Sequence, residues 1–336
     1  MNLEDIARKA GVSRSTVSRV LNNERYVSED VRERVQQVID QEGFRPNPAA
    51  RALVTRRSKI IGTAIRQTND VFFGDNSYFQ MLLQGVAEAV YTHDYAMLLW
   101  LSPSSEHRDK FTRRVSRDRN TDGVIITSVT HNDPLLANFL AHKRHFVMVE
   151  TPPSQYADMV SYVTVDNVAA ADEAVTHLIE IGRRRIATIT GQMNIQDGID
   201  RYEGYKRALH RAGLPLDPDL VVYGAFLKHE GYNGMKRLLP FAPDAIFAGG
   251  DTIAVGALEA LAEAGSRVPE DVAVVGFDDL DVARTSGLTT VNHAVQLIGS
   301  TAASLLIDLI EGQLEHPQHV VLPTRLVIRR STVAGA

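Results

Sequence analysis

The sequence predicts two unlike parts: a small all-α domain over residues 1–45 and, past a hinge and linker at 46–59, a large α/β region over 60–336 built as two doubly wound parallel-sheet lobes. Three observations predict this. Apolar residues recur at helical spacing through the first forty or so positions. From Lys59 onward, short β-rich runs alternate with amphipathic helical patterns, which is how parallel sheets covered by helices on both faces read. These runs are also too many for a single sheet, so two lobes are expected.

Composition bounds the rest. At 336 residues the chain suits one small domain plus a large or divided one, and 44% hydrophobic content supports sizeable cores. There is no cysteine, so disulfides, thiolate metal sites and cysteine nucleophiles are excluded. The opening MNLEDIARKAG contains acidic residues and lacks an apolar core, so it does not read as a secretion signal. No apolar run approaches the ~18 residues of a membrane span, and a cytoplasmic protein with no membrane partner is expected. The net charge of -5 divides unevenly: residues 1–59 hold twelve Lys/Arg and eight Asp/Glu, a balance of +4, which leaves -9 for the remainder. Only the small domain has a basic balance, which suits a nucleic-acid partner for that domain alone.

Within 1–45, Leu3, Ile6, Ala7 and Ala10 share one helical face. Gly11 ends that helix, Val12 plugs the turn, and Ser13 is placed to cap the second helix. In that second helix Val17, Val20 and Leu21 cluster on one side, while Ser15, Ser18, Arg19 and Asn22 lie opposite and Arg14 stands at the N-terminal end. A short helix with an apolar stripe and a small, polar, arginine-bearing outer face suits insertion into a DNA major groove. A third helix, capped by Ser28, turns Val31, Val35, Val38 and Ile39 toward the other two. Periodicity alone is served equally well by a plain three-helix bundle with solvated arginines.

The motif separates these readings. LEDIARKAGVSRSTVSRVLNN (3–23) closely resembles the helix-turn-helix of the lactose/galactose repressor (LacI/GalR) family, A-x-x-A-G-V-S-x-x-T-V-S-R-V-L-N, from Ala7 through Asn22. The resemblance implies double-stranded operator DNA as partner. It puts Arg14, Ser15 and Arg19 at base-reading positions and Thr16, Ser18 and Asn22 at phosphate or capping positions. The chemistry agrees for arginine, whose fork matches guanine O6 and N7; Ser15 also stands as an ordinary exposed serine. In the hinge, Asn47 is a good N-cap and Pro48 suits the first helical position, so a short helix is expected there. Read by itself this is a basic linker. The resemblance continues through Pro46, Asn47, Ala50, Arg51 and Leu53, and implies paired hinge helices over a minor groove. Leu53 would wedge between base steps, with Arg51, Arg56 and Arg57 near phosphate. The alternative is that Leu53 anchors the linker onto the large domain.

In the large region the candidate strands are 60–65, 96–100, 123–127, 146–149, 185–190, 220–223, 245–248 and 272–277, with helical stretches between most of them. The order of segments resembles the periplasmic-binding-protein-like type I core of the same family. The matching runs include VDNVAAA (165–171), AGGDTIAVGAL (248–258) and VPEDVAVVGFDD (268–279). The fold implied binds a small ligand between lobes at the carboxyl ends of the strands. By that resemblance the effector is a sugar or glycoside, and the candidates are Tyr78, Phe79 and Glu150 in the first lobe and Arg201, Phe226, Asp251, Asp278 and His293 in the second. Other readings stay open. Asp251 could cap a helix, Phe226 could be core, Asp278 could orient a neighbour, and Arg201 could bridge to Glu150 or Asp278.

The chain departs from sugar-binding members that carry arginine where Ile199 stands, asparagine where Gly250 stands and glutamine where His293 stands. Fewer polar groups and more volume lead to an expected effector larger than a monosaccharide. The long first-lobe loop adds Phe72 and Phe73, so either this pair or Tyr78 and Phe79 lines the cleft. No cofactor and no metal are called for. A homodimer is expected, since only four residues follow the last family run and leave no room for a C-terminal coiled coil. The competing function is an enzyme domain acting on a sugar, fused to a DNA-binding module. No G-x-S-x-G, P-loop, H-E-x-x-H or dinucleotide motif supports it. A transport solute-binding protein would need a signal peptide and would not carry residues 1–59.

Overall fold

The computed structural model describes residues 2–21, 26–44, 57–66, 77–102, 107–315 and 317–334. The chain separates into two compact units, Met1–Lys59 and Ile60–Ala336.

In the first unit, α1 (Leu3–Ala10), α2 (Arg14–Leu21) and α3 (Glu29–Gln41) enclose Ile6, Ala7, Ala10, Val17, Val20, Val35 and Ile39. The first helix opens on a capping box the sequence reading did not anticipate: Asn2 Oδ1 accepts from the Glu4 and Asp5 amides at 3.0 Å, and Asp5 accepts from the Asn2 amide at 3.1 Å. Gly11, at φ 65, takes the left-handed conformation that ends α1. Ser13 caps α2 as expected, its hydroxyl accepting from the Thr16 amide at 3.1 Å. Ser28 stands at the N-cap of α3 but its hydroxyl makes no cap bond. The acidic first turn, Glu29 and Asp30, complements the positive helix end instead.

The second unit holds two six-stranded sheets among the described residues. The first lobe contains β1 (Ile60–Ile65), α4 (Tyr78–Thr92), β2 (Ala96–Leu101), α5 (Arg108–Arg117), β3 (Gly123–Thr127), α6 (Pro134–Ala141), β4 (Phe146–Val149) and β5 (Ser161–Val165). The second contains α7 (Asn167–Glu180), β6 (Ile186–Ile189), α8 (Gln196–Arg211), β7 (Val221–Val222), α9 (Lys228–Leu238), β8 (Ala245–Ala248), α10 (Asp251–Glu263), β9 (Ala273–Asp278), α11 (Asp281–Ser286) and β10 (Thr289–Asn292). The chain then returns to the first lobe with α12 (Val295–Glu311) and β11 (His319–Leu322), and ends in the second with β12 (Arg325–Val327). Strand orders are β11-β5-β4-β3-β1-β2 and β12-β10-β9-β8-β6-β7; every pairing is parallel except β10 with β12.

The eight candidate strands all form. Four more, β5, β10, β11 and β12, were not anticipated. β10 (TTVN) is rich in threonine, and it pairs both with the preceding strand β9 and with β12 from the C-terminal region. β11 and β12 are short edge strands. The central strands are buried on both faces, as the continuous apolar run of β3 shows. Helix pairs close tightly over them. A Cβ on Gly85 of α4 would lie 1.9 Å from Gln296 O of α12, and one on Gly299 would lie 2.2 Å from Leu82 O. Both orders reverse beside the first strand of the lobe, between β1 and β3 and between β6 and β8, which in open α/β sheets places a ligand outside the carboxyl ends. The chain crosses between lobes after β5, β10 and β11. Among the described residues no helix is long and apolar enough to cross a membrane.

Candidate functional site

The first unit presents α2 as a polar face. Val17 and Val20 are buried, and Arg14, Ser15 and Arg19 are exposed on the other side. Ser13 Oγ lies 2.7 Å from Ser15 Oγ and 2.8 Å from Thr16 Oγ1, so the start of the helix carries a short hydroxyl chain. Thr16 and Ser18 are half-buried at the edge of this face. Asn22, Arg51 and Leu53 lie outside the described residues, as do Phe72 and Phe73.

In the second unit the strand ends converge on one charged constellation. Arg201, in the second turn of α8, is 3% exposed. Its Nε donates to Asn167 Oδ1 at 2.9 Å, Nη1 to Gly249 O at 2.7 Å, and Nη2 reaches Asp278 Oδ1 at 3.0 Å. The guanidinium lies 3.7 Å from the centre of the Phe277 ring and 5.6 Å from that of Phe226. Asp278 ends β9 at φ 109, and its Oδ1 also lies 3.0 Å from His293 Nδ1. Arg201 Nη2 lies 3.4 Å from the same imidazole nitrogen, so the three side chains form one connected set. His293 sits on the chain's second crossing between lobes, and its ring centre is 6.0 Å from that of Tyr78 in the first lobe.

Glu150 extends the constellation from the first lobe. It follows β4 at φ 92, with Oε1 accepting from Thr127 Oγ1 at 2.8 Å and both oxygens 3.0 Å from the Ser128 amide. Burial, then the carboxylate of Asp197, push its pKa up to about 8. Asp197, in the first turn of α8, is likewise raised by burial; it accepts from Asn167 Nδ2 at 3.1 Å and from the Thr151 amide of the other lobe. Burial raises the Tyr78 phenol well above its usual range, and Glu150, Asp197 and Asp278 add to the shift. The lobes also meet through His131, whose amide donates to Asn194 O at 3.0 Å and whose Nε2 lies 3.0 Å from Gln196 Oε1.

Tyr78, Glu150, Arg201, Phe226, Asp278 and His293 are thus brought together. Two candidates are not. Phe79 is 3% exposed inside the first-lobe core, because α4 turns its Tyr78 neighbour toward the cleft and Phe79 inward. Asp251 is fully buried; its oxygens take Thr290 Oγ1 at 2.5 Å and the Leu280 amide at 2.8 Å, so it braces the turn after β9 instead of facing a ligand. It does not cap α10 through its side chain either. Sequence reasoning missed Asp197 and Asn167. Asp197 stands four residues before Arg201 on one helix, which was the available signal. It also missed the seat of Phe226: a Cβ on Gly191 would lie 2.1 Å from the Phe226 ring, and one on Gly250 would lie 3.3 Å from that ring and 3.4 Å from Asp278 Oδ2.

Comparison with known proteins matches this geometry at both ends. Residues 2–47 fit the bacterial regulatory proteins, lacI family, and residues 175–332 fit the periplasmic binding protein-like domain. The HTH-type transcriptional regulator CelR of Thermobifida fusca is 38% identical over 333 residues, 98% of this chain and 97% of its own. The chain belongs to the lacI family. It is also 31% identical to the HTH-type transcriptional repressor PurR of Escherichia coli O139:H28 over 338 residues, 99% of this chain and 97% of the other. A solved CelR–cellobiose complex superposes with a TM-score of 0.78 at 35% identity, covering 98% of this chain and 99% of that one. The lac repressor dimer bound to operator and the anti-inducer ONPF superposes at 0.85, over 99% of each chain, at 24% identity, which speaks for the fold. As a lacI-family protein the chain is a DNA-binding transcriptional regulator, and its two-lobed core is the effector-binding region.

Proposed function

We propose that this lacI-family regulator is a homodimeric repressor, acting in the cytoplasm, whose operator affinity is set by a disaccharide or glycoside held between the lobes. The carrying observation is the convergence of Tyr78, Glu150, Phe226 and the Arg201–Asp278–His293 set at the carboxyl ends of both sheets. Carboxylates and an imidazole order sugar hydroxyls, and aromatic faces pack the apolar side of a sugar ring. At Gly250 a Cβ would press within 3.3 Å of the Phe226 ring and 3.4 Å of Asp278 Oδ2, so no side chain at that position covers these two groups. That CelR was solved with cellobiose supports a two-ring ligand. Arg201 has its donors engaged within the second lobe, so it holds Asp278 and Phe226 in place more than it seeks new partners. On the DNA side, Arg14, Ser15 and Arg19 read bases, Thr16, Ser18, Asn22 and Arg51 meet phosphate, and Leu53 of the 46–59 hinge wedges the minor groove. The cleft binds its ligand without converting it.

Titration calorimetry with cellobiose, aryl glucosides, glucose, galactose and ribose tests the effector class. Two-ring ligands are expected to bind at least tenfold more tightly than any monosaccharide and to be recovered unchanged. A monosaccharide that binds tightly with no gain from a second ring overturns the size argument, and a converted ligand overturns the non-catalytic reading.

A further inference from the structure

Residues 107–145 run against the charge of their surroundings. The second unit is acidic overall, yet this stretch holds eight Lys/Arg and four Asp/Glu. Lys110, Arg113, Arg114 and Arg117 fall at i, i+3, i+4 and i+7 on α5, a single stripe along one face. The opposite face, Phe111, Thr112, Val115 and Ser116, is buried. Arg119 just beyond the helix and Lys143 in the turn after α6 extend the basic area. All six are exposed, and none joins an ion pair among the described residues. Asp118, between Arg117 and Arg119, is engaged by Asn120 and Thr121.

The placement is specific. Arg144 Nη2 donates to Thr121 O at 3.0 Å, tying the turn after α6 to the one after α5. The Asp122 amide donates to Ile60 O at 2.9 Å. The stripe therefore runs down to the amino ends of β1, β3 and β4, the edge at which residues 57–59 enter this unit. Like charges stacked on one helix face repel one another, so an unpaired stripe is best accommodated beside a polyanion. Four of its six members are arginines, whose planar forks match phosphate oxygens. The rest of the unit, being acidic, is repelled by DNA.

We propose that the α5 stripe is a second DNA-contact surface, binding the phosphodiester backbone of duplex flanking the site held by the helix-turn-helix. The proposal rests on the chain's DNA binding and adds a sequence-independent contact made by the core. It is tested with the full chain and a variant carrying Lys110→Gln, Arg113→Gln, Arg114→Gln and Arg117→Gln, by fluorescence anisotropy on random-sequence DNA across a salt series. On a long duplex the variant should bind at least tenfold more weakly near physiological salt. The slope of log K against log salt should fall by about 0.9 per lost phosphate contact, roughly two to four in all. On a duplex trimmed to about two helical turns the two proteins should bind alike. An unchanged slope on the long duplex overturns the proposal, and so does an equal loss on both duplexes or a loss of dimer mass in sedimentation. An Arg19→Ala control should keep the long-duplex advantage on random-sequence DNA while relaxing base preference on operator variants, which separates failure of the stripe from failure of the recognition helix. If the fourfold variant does not fold, Arg113→Gln with Arg117→Gln reads the same slope at half the effect.

Discussion

At the scale of single residues, the cleft is defined by acids held in places where ionisation is unfavourable. Glu150 and Asp197 come from opposite lobes, and neither forms an ion pair among the described residues. Glu150 in the folded protein keeps its proton up to about pH 8, whereas in the unfolded chain it titrates near ~4.3. Between those values the folded state binds more protons than the unfolded state, so stability falls as pH rises through that window and levels off above it. Glu150→Gln keeps the acceptor for Thr127 and Ser128 but cannot ionise, and it should flatten this slope. Urea unfolding from pH 5 to 9 measures it, and parallel profiles for the two proteins would show that Glu150 is not the titrating group.

The element proposed to read DNA is α2, and its polar face follows from its packing. With Val17 and Val20 locked into the small core, helical periodicity leaves Arg14, Ser15 and Arg19 outward. Ser13 anchors the first turn. Arg19→Ala is expected to cost about 1–3 kcal/mol in specific DNA binding and to relax the preference at one base position per half-site. Binding measured across a library of single-base variants decides this; a uniform loss over all sequences makes Arg19 a phosphate contact. The elements of the core were legible to different degrees. Buried central strands such as β3 announce themselves as apolar runs. β10, β11 and β12 do not, because each is short and acquires its strand character from a ladder formed with a distant segment.

For the molecule's core as a whole, three chain crossings and a few polar bridges set the relation between lobes. His131 of the first lobe reaches Asn194 and Gln196 of the second, and Thr151 reaches Asp197. Polar contacts of this kind link the two lobes beside the constellation, each worth about 1 kcal/mol net. His131→Ala removes one of them and should shift the ligand-free protein toward an open form. Small-angle scattering should then report a larger radius of gyration than for wild type, with the difference abolished by a saturating two-ring ligand. Equal radii without ligand would mean that the crossings alone fix the lobes.

The sequence by itself determined whatever depends on neighbours a few residues apart: the helix-turn-helix, its caps at Gly11 and Ser13, the buried strands, and the family to which the runs belong. Most of the cleft members were also in reach, because strand ends are local features. Only the tertiary structure decided which of them face each other. Tyr78 and Phe79 are adjacent in sequence, yet α4 sends one to the cleft and the other to the core. Asp251 and Asp278 both stand at strand ends, but only Asp278 meets Arg201, since Asp251 is consumed by Thr290 and Leu280. The physical reason is that a carboxylate's role is set by the donors around it. Those donors come from segments that only folding brings together.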